Sequence, residues 1–200
     1  YWAAMRSGLL FTTVNRFLTA KEASYIVQDC EAKVLVVSQA VRDVAIAMLP
    51  EIGACPIRLI FDGTAEGYEN FESAIGRYPA EPLQEQPRGS IMLYSSGTTG
   101  QPKGIKRALD GSQITDPDPL GSGLVGLLFG MTADSVYLSP APLYHSAPLS
   151  FSTGTQSVGG TVVVLEKFGP VEALQAIERY GVTHSQWVPT MFSRMLKLPE

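Results

Sequence analysis

Residues 94–104 read YSSGTTGQPKG, and this stretch decides how the rest of the sequence is interpreted. It follows residues 91–94 (IMLY), an apolar run that predicts a short buried strand. Glycines let a backbone approach a ligand closely, and consecutive amide N–H groups in a turn can bind an anion. The stretch therefore predicts a phosphate-binding loop after a strand, and the alternative is a solvent-exposed Ser/Gly linker.

The side chains of this loop suit a polyphosphate. Its hydroxyls add neutral donors, and its lysine adds a positive charge on a flexible stem. The Walker pattern Gly-x-x-x-x-Gly-Lys-[Ser/Thr] and the dinucleotide pattern Gly-x-Gly-x-x-Gly do not occur in the sequence. We predict that the phosphate-binding residues are Ser95, Ser96, Gly97, Thr98, Thr99, Gly100 and Lys103.

The stretch closely resembles the signature [Tyr]-[Thr/Ser]-Ser-Gly-Thr-Thr-Gly-x-Pro-Lys-Gly of adenylate-forming enzymes, which include acyl-CoA synthetases, peptide-synthetase adenylation domains and luciferases. Ser95 stands where many members have Thr, so the hydroxyl is kept. The resemblance implies that the loop holds the β- and γ-phosphates of ATP, with Mg²⁺, while a carboxylate attacks the α-phosphorus. It also implies a catalytic role for Lys103, whose charge stabilises the reacting phosphates.

Residues 138–147 (LSPAPLYHSA) are similar to the Pro-Leu-[Phe/Tyr]-His segment that lies beside the acyl pocket in this superfamily. The resemblance implies that His145 is catalytic and orients the carboxylate or stabilises developing negative charge. It also implies that Tyr144, His145 and Trp187 contact the acid substrate. The alternatives are a loop histidine bonded to backbone, a packing tyrosine and a core tryptophan. We predict a structural role for His184.

Apolar runs rich in Val and Ile alternate with segments of helical period, which predicts an α/β fold with a mostly parallel sheet. The predicted strands are 9–14, 33–37, 57–61, 91–94, 136–138, 161–165 and 182–188. Helices are predicted from a Thr19–Glu22 capping box to about residue 30, from Ser38 to about residue 48, at 124–129, and from Pro170 and Pro189. Residues 76–88 and 110–122 are predicted to be surface connections. The resemblance implies stacked sheets with intervening helices.

The likeness to the superfamily extends over almost the whole chain, but three of its later segments are absent from these 200 residues. They are the Tyr-Gly-x-Thr-Glu segment, the Thr-Gly-Asp segment and the catalytic lysine of the small C-terminal domain. We therefore expect residues 1–200 to be an incomplete N-terminal AMP-binding domain, without the C-terminal domain and without turnover on its own.

Composition excludes several classes of protein. A net charge of −4 without a basic stripe argues against a nucleic-acid partner. No apolar run approaches the ~20 residues that span a bilayer, and no signal peptide is visible, so a cytoplasmic location is expected. Cys30 and Cys55 fit no zinc-ligand spacing, and the metal ligands stay unassigned. Free thiols are expected, although a disulfide between them is left open.

The expected function is ATP-dependent activation of a carboxylic acid to acyl-AMP, followed by thioester formation with coenzyme A. The apolar character of residues 149–151 favours a fatty or other hydrophobic acid. One alternative is an adenylation domain that loads a carrier protein. A second is a non-catalytic protein that binds nucleotide or acyl-adenylate. The sequence does not indicate the oligomeric state.

Overall fold

Strands and helices alternate along the chain, as the apolar pattern predicts. The computed structural model describes residues 1–95, 101–118 and 122–199, with the backbone alone at residue 122. The chain divides into two units, Tyr1–Ile114 and Thr115–Glu200, and each unit has its own sheet structure and its own core. The predicted α/β class is confirmed.

The first unit contains two three-stranded sheets. In order, its elements are α1 (Trp2–Met5), β1 (Leu10–Phe11), α2 (Ala20–Asp29), β2 (Val34–Ser38), a 3₁₀ turn (Gln39–Val41), α3 (Arg42–Met48), β3 (Ile57–Phe61), β4 (Glu69–Asn70), α4 (Phe71–Ile75), β5 (Ser90–Ser95) and β6 (Lys103–Lys106). The sheet β2-β3-β4 is parallel throughout. In the sheet β1-β5-β6, β1 and β5 are parallel, whereas β5 and β6 form an antiparallel hairpin.

Helix α2 begins at the predicted capping box. The Thr19 amide donates to the Glu22 carboxylate at 2.8 Å, and the Glu22 amide donates to the Thr19 hydroxyl at 3.4 Å. These bonds satisfy amide groups that have no partner within the helix. The buried side of α2 includes Ala23 and Val27, which pack with Met48 of α3 and with the segment that follows it.

The second unit is built around one parallel sheet of order β8-β7-β9. Its elements are α5 (Ser122–Phe129), β7 (Val136–Ser139), α6 (Ser146–Ser157), β8 (Thr161–Val164), α7 (Pro170–Tyr180), β9 (His184–Ser185) and α8 (Pro189–Met195). The core includes Val125, Met131 and the fully buried Tyr137, against which Phe151 stacks at a ring-centroid distance of 5.9 Å.

The observed elements differ from the predicted ones at several boundaries. The predicted strands 9–14 and 182–188 shrink to β1 and β9, because only two residues of each pair with a neighbouring strand. Ser38 ends β2 and is the N-cap residue of the 3₁₀ turn, as its predicted position requires, but its side chain makes no capping hydrogen bond, and α3 begins only at Arg42. Residues 76–88 contain no helix or strand, in agreement with the predicted surface connection.

The two cysteines are free thiols, as expected: Cys55 is buried and Cys30 is half-buried. Burial raises the pKa of both thiols, and this keeps them protonated and poorly nucleophilic at neutral pH. Among the described helices, none combines the length and the apolar composition needed to cross a bilayer.

Candidate functional site

The β5–β6 hairpin brings the two ends of the Ser/Thr/Gly loop together. In its register Ser95 pairs with Lys103, and Tyr94 pairs with Gly104. Ser95 and Lys103 are both exposed. The predicted nucleotide-binding residues Ser96, Gly97, Thr98, Thr99 and Gly100 lie outside the described residues.

The hairpin has two different faces. Because successive side chains of a strand point to opposite faces, Ser95 and Lys103 share one face, and Tyr94 and Gly104 share the other. Within the part of the chain that the structure describes, the ion pairs are Arg42–Asp43 and Arg77–Glu69, so no carboxylate there neutralises Lys103. The first face therefore presents a hydroxyl and a cation side by side, a donor set that suits a phosphate group.

Two hydrogen bonds join helix α2 to the residues that flank the loop, one of them through Tyr94 on the second face of the hairpin. The Tyr94 hydroxyl donates to the Asp29 carboxylate at 2.5 Å, and the Tyr25 hydroxyl donates to the Pro102 carbonyl at 3.3 Å. Burial, and then the hydrogen bond to Asp29, raises the pKa of Tyr94, so its hydroxyl stays protonated as a donor. No local sequence pattern points to Tyr25 or Asp29, because 77 and 65 positions separate them from their partners.

The glycine of Pro-Lys-Gly has a packing reason to be there. A Cβ atom on Gly104 would lie 2.5 Å from Met92 Cε and 3.1 Å from both Cζ and Oη of Tyr94. Tyr94 thus extends over Gly104 on its way to Asp29, and a larger residue at position 104 would push the ring aside. This need for space could not be read from the motif alone.

Tyr144 and His145 lie between the carboxyl end of β7 and the start of α6. His145 is the N-cap residue of α6, and its carbonyl accepts a hydrogen bond from the Leu149 amide at 3.2 Å. Its imidazole is exposed and lies 4.4 Å from the Tyr144 ring, measured between centroids. The side chain is therefore placed at the positive end of a helix dipole, where negative charge is stabilised.

Trp187 follows β9, which is the neighbour of β7 in the same parallel sheet. Tyr144, His145 and Trp187 consequently all follow the carboxyl ends of adjacent parallel strands, the edge where open α/β sheets bind ligands. The Trp187 ring is half-buried, 6.1 Å from Phe168 and 5.9 Å from Phe192. These contacts give Trp187 a packing role, and the residue offers only part of its surface to a ligand.

His184 has the contacts of a structural histidine, as predicted. Its Nδ1 lies 2.7 Å from the Thr183 hydroxyl and its Nε2 lies 3.0 Å from the Phe129 carbonyl oxygen. Both ring nitrogens are therefore engaged within the second unit.

The apolar residues on which the expected hydrophobic substrate was based belong to the core. Leu149 is 4% exposed, and Phe151 packs between Phe129 and Tyr137. Their hydrophobicity is explained by packing, and it carries no information about the acid. No cluster of three or more His, Cys, Asp or Glu side chains suited to a metal ion occurs in the described ranges.

The predicted site residues divide between the two units. Ser95 and Lys103 lie in the first, and Tyr144, His145 and Trp187 lie in the second. The sequence motifs thus correspond to two local arrangements: a hairpin with a hydroxyl and a cation at its end, and a sheet edge with an exposed histidine.

The chain is similar to known proteins in both sequence and structure. The AMP-binding enzyme family matches residues 1–200. The 2-methylpropanoate–CoA ligase of Humulus lupulus is 28% identical over all of this chain and 38% of its own length. The indoleacetate–CoA ligase of Aromatoleum aromaticum is 29% identical over 99% of this chain and 38% of its own.

A solved structure of an anthranilate CoA ligase in complex with anthranoyl-AMP superimposes with a TM-score of 0.77 at 25% identity, over 98% of this chain and 38% of that one. The chain thus spans a little over a third of the length of these relatives. Since the family match extends from the first residue to the last, the chain belongs to the AMP-binding enzyme family.

Proposed function

We propose that the protein containing residues 1–200 activates a carboxylic acid with ATP and transfers the acyl group to coenzyme A. In the first step a carboxylate oxygen bonds to the α-phosphorus of ATP, and the bond from that phosphorus to the bridging oxygen breaks, which releases pyrophosphate. In the second step the thiol sulfur of coenzyme A bonds to the acyl carbon, AMP leaves, and the thiol proton passes to solvent.

The observation that carries this proposal is the pairing of Ser95 with Lys103 at the end of the β5–β6 hairpin. The arrangement holds a hydroxyl and an ammonium group on one exposed face, at the ends of the Gly/Thr-rich loop. Lys103 would hold the β- and γ-phosphates of ATP, because a cation near the leaving pyrophosphate stabilises its developing charge.

Mg²⁺ would be held at this site mainly by the phosphates of ATP, because the described residues contain no cluster of metal ligands. Such an ion characteristically keeps several waters and binds one or two carboxylates together with substrate phosphates. When bound, it would neutralise phosphate charge. The part that this chain contributes is to orient the phosphates through Lys103 and Ser95.

We assign His145 to the carboxylate of the acid substrate. Its imidazole is exposed at the amino end of α6, where both the side chain and the helix dipole favour a negative group. Tyr144 and Trp187 are proposed to contact the rest of the acid from the same sheet edge. The acid itself is proposed to be fatty or otherwise hydrophobic, since relatives are named for 2-methylpropanoate and indoleacetate.

We also propose that residues 1–200 form an incomplete N-terminal AMP-binding domain, with the small C-terminal domain outside them. The support is that the relatives are more than twice as long as the stretch they share with this chain. The free thiols of Cys30 and Cys55 fit a reducing compartment, and this supports a cytoplasmic location.

The test is pyrophosphate release by the complete protein with ATP, Mg²⁺ and a panel of acids: 2-methylpropanoate, indoleacetate, anthranilate, octanoate, palmitate and, as a polar control, malonate. We expect release with at least one apolar acid, and acyl transfer when coenzyme A is added. Release without transfer to coenzyme A would instead favour a carrier protein as acceptor. No release with any acid would overturn the proposal.

A further inference from the structure

We propose that Tyr25 and Asp29 are positioning residues, which hold strand β5 and the residue just before β6 on helix α2 and so fix where Ser95 and Lys103 are presented. The contacts lie at the two ends of the loop. Tyr94, bonded to Asp29, immediately precedes Ser95, and Pro102, bonded to Tyr25, immediately precedes Lys103. Each phosphate-facing side chain is therefore adjacent in sequence to a tethered residue.

The two tethers come from a single face of α2. Tyr25 and Asp29 are four positions apart in the helix, so their side chains lie one above the other. The spacing lets one helix contact the strand that enters the loop and the last residue before the strand that leaves it. A shift of the hairpin along or away from α2 would stretch both hydrogen bonds together.

Helix α2 is itself well anchored. Its first turn is closed by the Thr19–Glu22 capping box, and its buried residues include Ile26, which is 3% exposed, and Val27, which is 4% exposed. Because the helix is fixed at its start and along its buried side, Tyr25 and Asp29 on its other side occupy defined positions. Their hydrogen bonds therefore fix the position of the hairpin relative to the core of the first unit.

The Tyr94–Asp29 bond is the stronger of the two tethers. It joins a hydroxyl to a carboxylate and is therefore charge-assisted, whereas the Tyr25 hydroxyl donates to a neutral carbonyl at 3.3 Å. Asp29 is exposed to solvent, which weakens the bond relative to a buried one. Gly104 completes the arrangement, because its missing Cβ leaves the space through which Tyr94 reaches Asp29.

This inference rests on the proposed function for its effect on ATP. If the hairpin presents Lys103 and Ser95 to the phosphates, loosening it should weaken ATP binding while leaving the acid site in the second unit unaffected. For Tyr94→Phe in the complete protein we expect the KM for ATP to rise by about five- to tenfold. This is less than the full effect of losing a hydrogen bond to a charged group, because Asp29 is exposed to solvent. The KM for the acid should stay unchanged.

Four further variants, one of them a matched control, complete the experiment. Asp29→Ala should match Tyr94→Phe, and the double variant should be no worse than either single one, because both remove the same bond. Asp29→Asn keeps an acceptor without the charge and should lie between wild type and Asp29→Ala. The matched control is Tyr68→Phe, which removes a tyrosine hydroxyl bonded at 2.9 Å to the Ala45 carbonyl in the same unit, away from the hairpin.

A merely structural role for Tyr94 would lower the amount of active protein, and so the apparent kcat, without changing the KM for ATP. A second readout does not depend on activity: hydrogen exchange of backbone amides in peptides covering residues 90–106, without nucleotide. We expect faster exchange there in Tyr94→Phe and Asp29→Ala and wild-type exchange in Tyr68→Phe.

The outcomes separate this inference from the proposed function. A wild-type protein that releases no pyrophosphate would contradict the proposed function, and the exchange experiment would still decide whether the tethers hold the hairpin. Unchanged amide exchange at residues 90–106 in Tyr94→Phe would overturn the tethers. A wild-type KM for ATP in an active Tyr94→Phe protein would overturn their role in presenting Lys103.

Discussion

The two histidines of this chain differ in what surrounds their rings. His145 is exposed at the start of α6 beside Tyr144, whereas both ring nitrogens of His184 lie within hydrogen-bonding distance of an oxygen atom. One imidazole can reach a ligand, and the other joins two parts of the second unit. We therefore expect substitution of His145 to affect activity and substitution of His184 to affect stability.

Replacing each histidine by alanine should separate activity from stability. His145→Ala should slow pyrophosphate release by about a hundredfold, the scale for one lost charge-stabilising group, with little change in the thermal midpoint. His184→Ala should lower the free energy of unfolding by about 1–2 kcal/mol through its lost hydrogen bonds and leave the KM values unchanged. Steady-state kinetics and denaturation of both variants test these expectations. A His145→Ala protein with both slower pyrophosphate release and a clearly lower thermal midpoint would contradict them.

The capping box makes one carboxylate respond to pH. Hydrogen bonds from the Thr19 hydroxyl and amide lower the pKa of Glu22 below its ordinary value of 4.5. A carboxylate with a depressed folded-state pKa contributes stability above the ordinary pKa, and this contribution is lost as the pH falls through the folded value. Glu22 should therefore stabilise α2 at neutral pH and stop doing so in acid.

The variant Glu22→Gln provides the measurement. Urea midpoints of the wild type and Glu22→Gln should differ at pH 6 and converge as the pH falls below 4.5, since the glutamine does not titrate. A difference that stays constant across this range would show that the charge of Glu22 contributes nothing to the cap.

At the scale of elements, the contact between α5 and α6 depends on a glycine. A Cβ atom on Gly154 would lie 2.8 Å from Cγ2 and 2.9 Å from Cγ1 of Val125, which is itself buried. Alanine would gain about 0.5–1 kcal/mol of helix propensity over glycine, but overpacking a core contact costs about 1–3 kcal/mol. The clash outweighs the gain in propensity.

Gly154→Ala should therefore destabilise the protein by about 1 kcal/mol, the balance of these two effects. Adding Val125→Ala removes the two clashing methyl groups, so the double variant should be more stable than the sum of the two single changes predicts. Chemical denaturation of the four proteins gives the coupling. Strict additivity would mean that the two helices move apart at little cost.

Elements that local signals specify were predicted well. The capping box, the proline at the start of α7 and the apolar runs of β2, β3 and β7 each correspond to an observed element. Helix α6 was missed, because its sequence SAPLSFSTGTQS is rich in residues of low helix propensity and lacks a clear apolar stripe. Its buried Leu149 and Thr155 show that packing stabilises it instead.

In the candidate site, too, the residues that are consecutive in sequence were predicted and those brought in by tertiary packing were not. The motif pointed to Ser95 and Lys103 because its glycines, hydroxyls and lysine are consecutive in sequence. Strand β6 was not predicted, since Lys103 was assigned to the loop. The contacts of Tyr25 and Asp29 with the hairpin depend on tertiary packing over more than 60 positions, which no local pattern encodes.

At the scale of the whole molecule, the chain corresponds to a little over a third of the curated relatives it matches. It includes the hairpin with Lys103 and the sheet edge with His145. The three family segments that were absent from the sequence would supply other parts of a nucleotide site. The proposed adenylation reaction would need all of these groups at once, because positioning supplies much of the rate of such a reaction.

Residues 1–200 expressed alone should consequently form no acyl-AMP. Exposed apolar side chains on α5, among them Leu127 at 78% and Leu128 at 61%, should also make the isolated chain associate. Chromatographic detection of acyl-AMP and light scattering measure the two effects. Acyl-AMP formation by the isolated chain, or a monodisperse monomer, would contradict the corresponding expectation.

The central claim is that the loop end of the β5–β6 hairpin, with Lys103, binds the phosphates of ATP, and exchange between ATP and radiolabelled pyrophosphate in the complete protein tests it most directly. Lys103→Ala should slow exchange by about a hundredfold, since one charge-stabilising group is lost. Lys106→Ala removes a lysine of the same strand on the opposite face and should leave exchange unchanged. Wild-type exchange in Lys103→Ala, or equal losses in both variants, would contradict the claim.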